Sequence, residues 1–330
     1  MNREKGLALV LLLALPAAPV SDSLDRYASA PAETVRSVTA AQSLSALNSA
    51  LRRDGTEWML AKGAAEANRR RLIAATFALD VAGAGMDSEP GLVAPLIEWG
   101  CEQIRRRMPS DAERVWHVAA LALLEGTGSL QVVETHLAHA SARFREDPAW
   151  ERARLWLADS RTLDIHPRQP LPAPRITFPV ELAARYESLA ATPEFAGDAW
   201  LRIGFLHFLA GQYAEARRDF TTGQLADTSN TRTRYLTQLF IGWIFEREGK
   251  HTQAITAFRA AMAAEPAGRT AAAWLATRYA IAGRADEAEM VAARSLDGDT
   301  AGPDPWRTFY RGDLARWPAL IAASRAAIGK

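Results

Sequence analysis

Residues 200–220 read WLRIGFLHFLAGQYAEARRDF, residues 238–258 read QLFIGWIFEREGKHTQAITAF, and residues 272–292 read AAWLATRYAIAGRADEAEMVA. The three stretches align on Gly211, Gly249 and Gly283, spaced 38 and then 34 residues apart. Trp200, Ile203, Gly204 and His207 then match Gln238, Ile241, Gly242 and Phe245, and the third stretch supplies Ala272, Leu275, Ala276 and Tyr279. Beyond the glycines, Ala216 and Phe220 match Ala254 and Phe258, then Ala288 and Ala292. Spacings of three and four on both sides of a glycine describe two helices joined by a turn whose last residue is left-handed. Small residues at 204, 242 and 276 predict a close approach to the second helix at Ala216, Ala254 and Ala288, because a large ring there would push the helices apart. Phe220 and Phe258 are expected to fill the space between successive units. Gly268, after Pro266, reads as a loop glycine at which a larger side chain costs little.

Outward from this array, Leu314, Trp317, Leu320 and Ile321 predict a final helix over the last apolar face, with Pro318 tolerated in its first turn. Upstream, helical patterning covers stretches from Leu44 to Leu163. Pro167, Pro170, Pro172, Pro174 and Pro179 then interrupt it, since each ring removes an amide donor and clashes one turn back. The expected organisation is an N-terminal helical domain at 34–165, a proline-rich linker at 166–179 and helical repeats at 180–302. The repeat units fall at about 197–230, 235–268 and 269–302, followed by capping helices at 303–330. Residues 21–33, rich in Ser, Asp, Ala and Pro, read as a flexible leader. Residues 1–20 place Arg3 and Lys5 before an apolar run from Gly6 to Leu15, which predicts a signal peptide cleaved between about Ala17 and Ser23. The chain is therefore expected to be exported, periplasmic or secreted, with no membrane span once that segment is removed.

The composition narrows the function classes. Of 330 residues, 48% are hydrophobic and 23% charged, enough for a large core. A balance of 39 basic against 38 acidic side chains leaves no excess charge for nucleic-acid phosphates. Abundant alanine favours closely packed helices. The fold class that follows is all-α, helix-turn-helix repeats stacked as an α-solenoid.

The repeat resembles the tetratricopeptide repeat, a helix-turn-helix unit of about 34 residues with the pattern W-x2-L-G-x2-Y, A-x3-F, P. The resemblance covers about 197–302, and Trp116, Ala119, Ala120 and Leu123 with Pro148 give a fainter echo upstream. It implies a concave groove lined by the first helices, binding protein segments without catalysis. The groove positions it implies are Leu201, Phe205, Phe208 and Leu209, then Leu239, Trp243, Glu246 and Arg247, then Ala273, Thr277 and Ile281. Trp243 with Arg247 one turn later is the expected hot spot. The Lys and Asn positions with which some members clamp a terminal carboxylate are absent. An alternative is an assembly subunit whose groove is filled by its own N-terminal helices.

Catalytic chemistry finds little purchase. Phosphate-cradling glycine loops, G-x-S-x-G elbows and H-E-x-x-H helices are absent. His136 and His139, three apart on a helix near Glu134, could share a face and hold a metal, which defines the metal-dependent alternative. Two ligands do not make a site, so no metal or cofactor is expected. Cys101, the single cysteine, lies in an apolar helical stretch and reads as core. Arg69, Arg70 and Arg71 read as a solvated helix face, Glu248 and His251 as a turn, and Arg311-Gly312-Asp313 as a turn between helices.

Overall fold

The computed structural model describes residues 19–60, 63–105, 111–139, 144, 146–163, 176–266, 268–296 and 304–328. The signal-peptide reading and most of the proline-rich segment lie outside these residues. Among the described residues every regular element is a helix, and the fold is all-α. The chain divides into two compact units, residues 1–116 with 321–330, and residues 117–320.

The first unit contains α1 (Val20–Tyr27), α2 (Pro31–Ala41), α3 (Leu44–Ala50), α4 (Thr56–Trp58), α5 (Ala64–Ala84), α6 (Val93–Arg105) and the start of α7 (Asp111–Thr127). α5 is its centre, for every residue from Leu72 to Ala82 is buried. Gly100 lets α6 approach closely: a Cβ there would stand 2.8 Å from the Trp116 ring and 3.3 Å from the Ala75 carbonyl oxygen. Asp80, inside this apolar run, accepts from the Tyr27 hydroxyl at 2.8 Å and from Arg325 through Nε at 2.6 Å and Nη2 at 2.7 Å. Residues 21–33, expected as a flexible leader, instead form α1 and the start of α2. Leu24 and Tyr27 are fully buried in this unit's core, because their spacing of three sets both on one face.

The second unit continues α7 and adds α8 (Leu130–His139), α9 (Pro148–Leu163), α10 (Val180–Ala190), α11 (Pro193–Leu209) and α12 (Tyr213–Ala226). Then come α13 (Thr231–Arg247), α14 (His251–Ala264), α15 (Arg269–Ile281), α16 (Ala285–Leu296), α17 (Pro305–Tyr310) and the first residues of α18 (Trp317–Ile328). The pairs α11/α12, α13/α14 and α15/α16 are the three repeats as helical hairpins. Their turns carry Gly211, Gly249 and Gly283 at φ of 76°, 70° and 74°, the left-handed region that a side chain disfavours.

Three expectations need correction. The domain boundary does not fall at the proline-rich segment: α9 before it and α10 and α11 after it share a core, with Asp159 bonded to both Tyr186 and Arg202. The C-terminal residues are not simply an end cap, since α17 lies on α13 and residues 321–330 belong with the first unit. Phe220 and Phe258, expected to fill the space between successive units, also pack against Gly204 and Gly242 within their own units. A Cβ at Gly204 would stand 2.6 Å from the Phe220 ring, and one at Gly242 would collide with Phe258.

Gly268 is not a permissive loop position either, because the Tyr235 ring occupies the space a side chain would take. We therefore expect Gly242→Leu and Gly268→Leu each to destabilise the protein by about 1 to 3 kcal/mol or more through overpacking. Ala260→Leu, on the exposed face of α14, is expected to leave the thermal midpoint nearly unchanged. A Gly268→Leu midpoint equal to that of Ala260→Leu would show that Tyr235 does not fill this space.

Candidate functional site

The first-helix face of units one and two is built from α11 and α13. Its lining is aromatic, with Phe205, Phe208, Phe240 and Trp243 each at most 2% exposed. The short helix α17 covers it. Trp306 stands edge-on to Trp243 with ring centroids 4.7 Å apart, and at 5.6 Å from both Phe205 and Phe240. Phe309 meets Phe205 at 5.5 Å and Phe240 at 5.3 Å, also edge-on, the arrangement that sets a ring's positive edge against its neighbour's negative face.

Both ends of α17 are fixed. At its start the Asp304 carboxylate accepts from the Trp306 amide at 2.9 Å and from the Thr270 amide at 2.7 Å, which ties α17 to the beginning of α15. At its end, Arg202 Nη2 donates to the Phe309 carbonyl at 2.8 Å and Trp156 Nε1 to the Tyr310 carbonyl at 2.9 Å. Unpaired carbonyls at a helix C-terminus attract cations and donors, and these side chains supply them.

The expected groove residues therefore separate into two groups. Leu201, Phe205, Phe208, Leu209, Leu239 and Trp243 are buried, most of the aromatics among them beneath α17. Glu246 has its side chain buried and paired with Arg278. Arg247, Ala273, Thr277 and Ile281 are exposed, so the third unit's part of the face is open. The occupant of the covered part is α17, a helix beyond the last repeat. Sequence reasoning passed over it, although Trp306, Phe309 and Tyr310 lie at the i, i+3, i+4 spacing of an apolar helix face.

Beside α17 lies a layer of buried charge that composition alone could not locate. Arg202, 4% exposed, pairs with Asp159 at 2.7 Å and Asp198 at 3.2 Å, and its guanidinium sits 4.6 Å over the Phe309 ring. Arg152 pairs with Glu125, which also accepts the Asp313 amide at 2.7 Å. Burial alone would raise the Asp198 carboxyl, but Arg202, Arg152 and Arg232 together outweigh it and hold it at about 2. Burial prevails at Asp159, Glu125 and Asp313, whose carboxyls are raised despite their arginine partners.

The remaining candidates fall apart as sites. His136 is buried, with its Nε2 3.1 Å from His117 Nδ1, while His139 is exposed, so the pair does not share a face. Cys101 is 3% exposed and burial raises its thiol to about 11, which keeps it protonated at neutral pH. Arg70 donates to the Trp58 carbonyl at 2.7 Å and lies over that residue's ring. Glu248 bridges Arg217 and Lys250. Arg311-Gly312-Asp313 is a turn held against Glu125 through the Asp313 amide. No model of a known protein family matches this sequence, and no curated protein is significantly similar to it.

The shift at Asp198 gives a signed pH dependence. An unfolded aspartate titrates near ~3.9, so the folded state binds this proton more weakly. The resulting stabilisation, about 2 kcal/mol, is fully present above the unfolded value and lost as pH falls through about 2. The raised carboxyls act oppositely: their cost is borne at neutral pH and relieved on acidification. Asp198→Asn should therefore lower the thermal midpoint at pH 7, with the difference from wild type narrowing below about pH 4. A difference independent of pH between 7 and 3, measured by circular dichroism, would refute the assignment.

Proposed function

We propose that this chain is a non-catalytic binding scaffold of the tetratricopeptide type, whose first-helix face takes a helical segment carrying paired aromatics. The observation that carries this reading is the seating of α17, a six-residue segment that the face holds through two rings and polar contacts at both ends. That one helical segment is held on this face by its rings and by polar contacts at both ends supports reading the face as a segment-binding surface, with α17 as its resident occupant. Partner segments reach it either by displacing α17 or along the open surface of α15 at Ala273, Thr277 and Ile281.

The test is competition for the resident's place. Trp306→Ala removes the larger ring and weakens the intramolecular occupant. A fluorescein-labelled peptide copying residues 303–312 should bind this variant saturably, at least about tenfold more tightly than it binds the wild type. Far-UV circular dichroism should show helical content preserved. A folded variant that does not bind the peptide would overturn the reading.

Export belongs to the same proposal, and the first unit constrains its processing. Val20 is 2% exposed and Leu24 fully buried, so cleavage after either residue would strip apolar side chains from the core. The mature chain is expected to retain Val20, which narrows the cleavage point to the region of Ala17 to Pro19. Intact-mass analysis of native material checks this, and a mature chain beginning after Leu24 would contradict it. Among the described residues no helix is long and apolar enough to cross a membrane.

A further inference from the structure

One matched position on the first helix of each repeat carries a ring: His207 in the first unit, Phe245 in the second and Tyr279 in the third. What lies against that ring differs between units. In the first, Phe178 from the non-helical stretch before α10 stacks face to face on His207, with centroids 4.0 Å and planes 3° apart. His207 Nδ1 is also 2.5 Å from Asp219 Oδ2 on the second helix, which closes the position. In the third, Arg284 and Arg259 hold their guanidinium groups 4.3 Å and 5.4 Å from the Tyr279 ring centre. In the second, the guanidinium over Phe245 is that of Arg217, at 5.9 Å, close to the outer limit of about 6 Å for such a contact. Lys250, the counterpart of Arg284, is drawn to Glu248 at 2.8 Å instead.

The sequence explains the difference. Where the first unit has His207 and Asp219, the second has Phe245 and Ala257, which cannot bond to each other. A cleft of about 220 Å³ opens at these positions, walled by Ile241 and Phe245 of α13 and Ala257 and Ala260 of α14, with Gln238 and Gln253 at its edge. Phe245 and Ile241 are half-buried and Ala260 and Gln253 exposed, so the walls are reached from solvent. The cleft is separate from the face that α17 covers, because residues two apart on a helix point about 200° apart and Ile241 and Phe245 each lie two residues from Trp243.

We propose that this cleft binds the aromatic side chain of an extended protein segment that carries a carboxylate next to the ring. The first unit shows the chemistry of the occupant at the matched position: Phe178 is followed by Pro179, and proline keeps the preceding backbone extended. The apolar walls and the open Phe245 ring suit a second ring, with offset or edge contact between them. The carboxylate follows from the charge beside the cleft. Glu248 is shared between Arg217 at 2.7 Å and Lys250 at 2.8 Å, so that cluster carries one positive charge in excess. A cationic side chain would meet Arg217, whereas an acidic neighbour of the ring is attracted. The carboxamides of Gln238 and Gln253 have donors and acceptors for the backbone of such a segment. The site stands whether or not the face under α17 takes a partner.

The probe is the tripeptide acetyl-Asp-Phe-Pro-amide with a para-fluorine on the ring, titrated with the full chain at low salt and followed by fluorine NMR. It should bind saturably at one site. Unlabelled Asp-Phe-Pro should displace it, with Asp-Leu-Pro at least about fivefold and Asn-Phe-Pro at least about threefold less effective. Phe245→Leu should weaken binding by at least about fivefold. Because that ring also packs on the repeat core, Ala260→Trp serves as a second variant. It fills the cleft from the exposed face of α14 and should abolish binding with helical content unchanged. Equal displacement by the Phe and Leu peptides or by the Asp and Asn peptides, binding that survives Ala260→Trp, or no saturable binding at millimolar probe would each overturn the proposal.

Discussion

Arg202 cannot lose its proton and, at 4% exposure, cannot reach water, so the second unit is arranged around giving its donors partners. Asp198 lies one turn earlier on the same helix, Asp159 comes from α9, and the Phe309 carbonyl comes from α17. One guanidinium thereby joins three elements that are distant in sequence. Removing any one partner would leave a buried charge short of a contact, which is far costlier than losing a surface pair. The aromatic packing of α17 is non-directional by comparison and would tolerate sliding. The bond from Arg202 to the Phe309 carbonyl fixes where the helix ends, and Asp304 fixes where it begins.

The repeats were legible because their constraint is local and periodic. A glycine with positive φ between two apolar helices leaves the same mark each time, and Gly211, Gly249 and Gly283 carry it. What the alignment could not supply was the partner of each small residue. Gly204 and Phe220 are matched positions in a pattern, but only the packing of the two helices sets the Phe220 ring against the glycine of its own unit. Tyr235 against Gly268 illustrates the same limit. The glycine follows a proline in a short connection, where sequence suggests open space, and only the arrival of a ring from another helix makes it obligatory.

Non-local features were less legible still. Five prolines in a short stretch mark a break in helical structure, and that inference says nothing about whether the flanking helices share a core. They do, because the Asp159 carboxylate on α9 requires the donors that Tyr186 and Arg202 bring from the other side. The candidate groove shows the converse. Its lining was identifiable from the repeat register, yet an aromatic face of this size is unstable in water, and the sequence alone left open what covers it. The cover, Trp306 and Phe309, lies beyond the last repeat in a short segment whose i, i+3, i+4 aromatic spacing marks a helix face but not what that face meets.

A covalently attached occupant changes what a partner must achieve. A segment tethered to its own groove has an effective concentration on the order of millimolar, so a free segment of equal intrinsic affinity would not displace it at ordinary cellular levels. Displacement therefore selects for segments that make contacts α17 lacks. On the proposed reading such contacts would come from the uncovered end of the same face, where Thr277 and Ile281 are exposed on α15. A longer segment could gain its first hold there before competing for the aromatic positions. On the proposed scaffold reading α17 would act as a filter for length and sequence as well as a cover: a short aromatic peptide would meet only the occupied part, whereas a segment spanning all three units would have further surface from which to exchange against it.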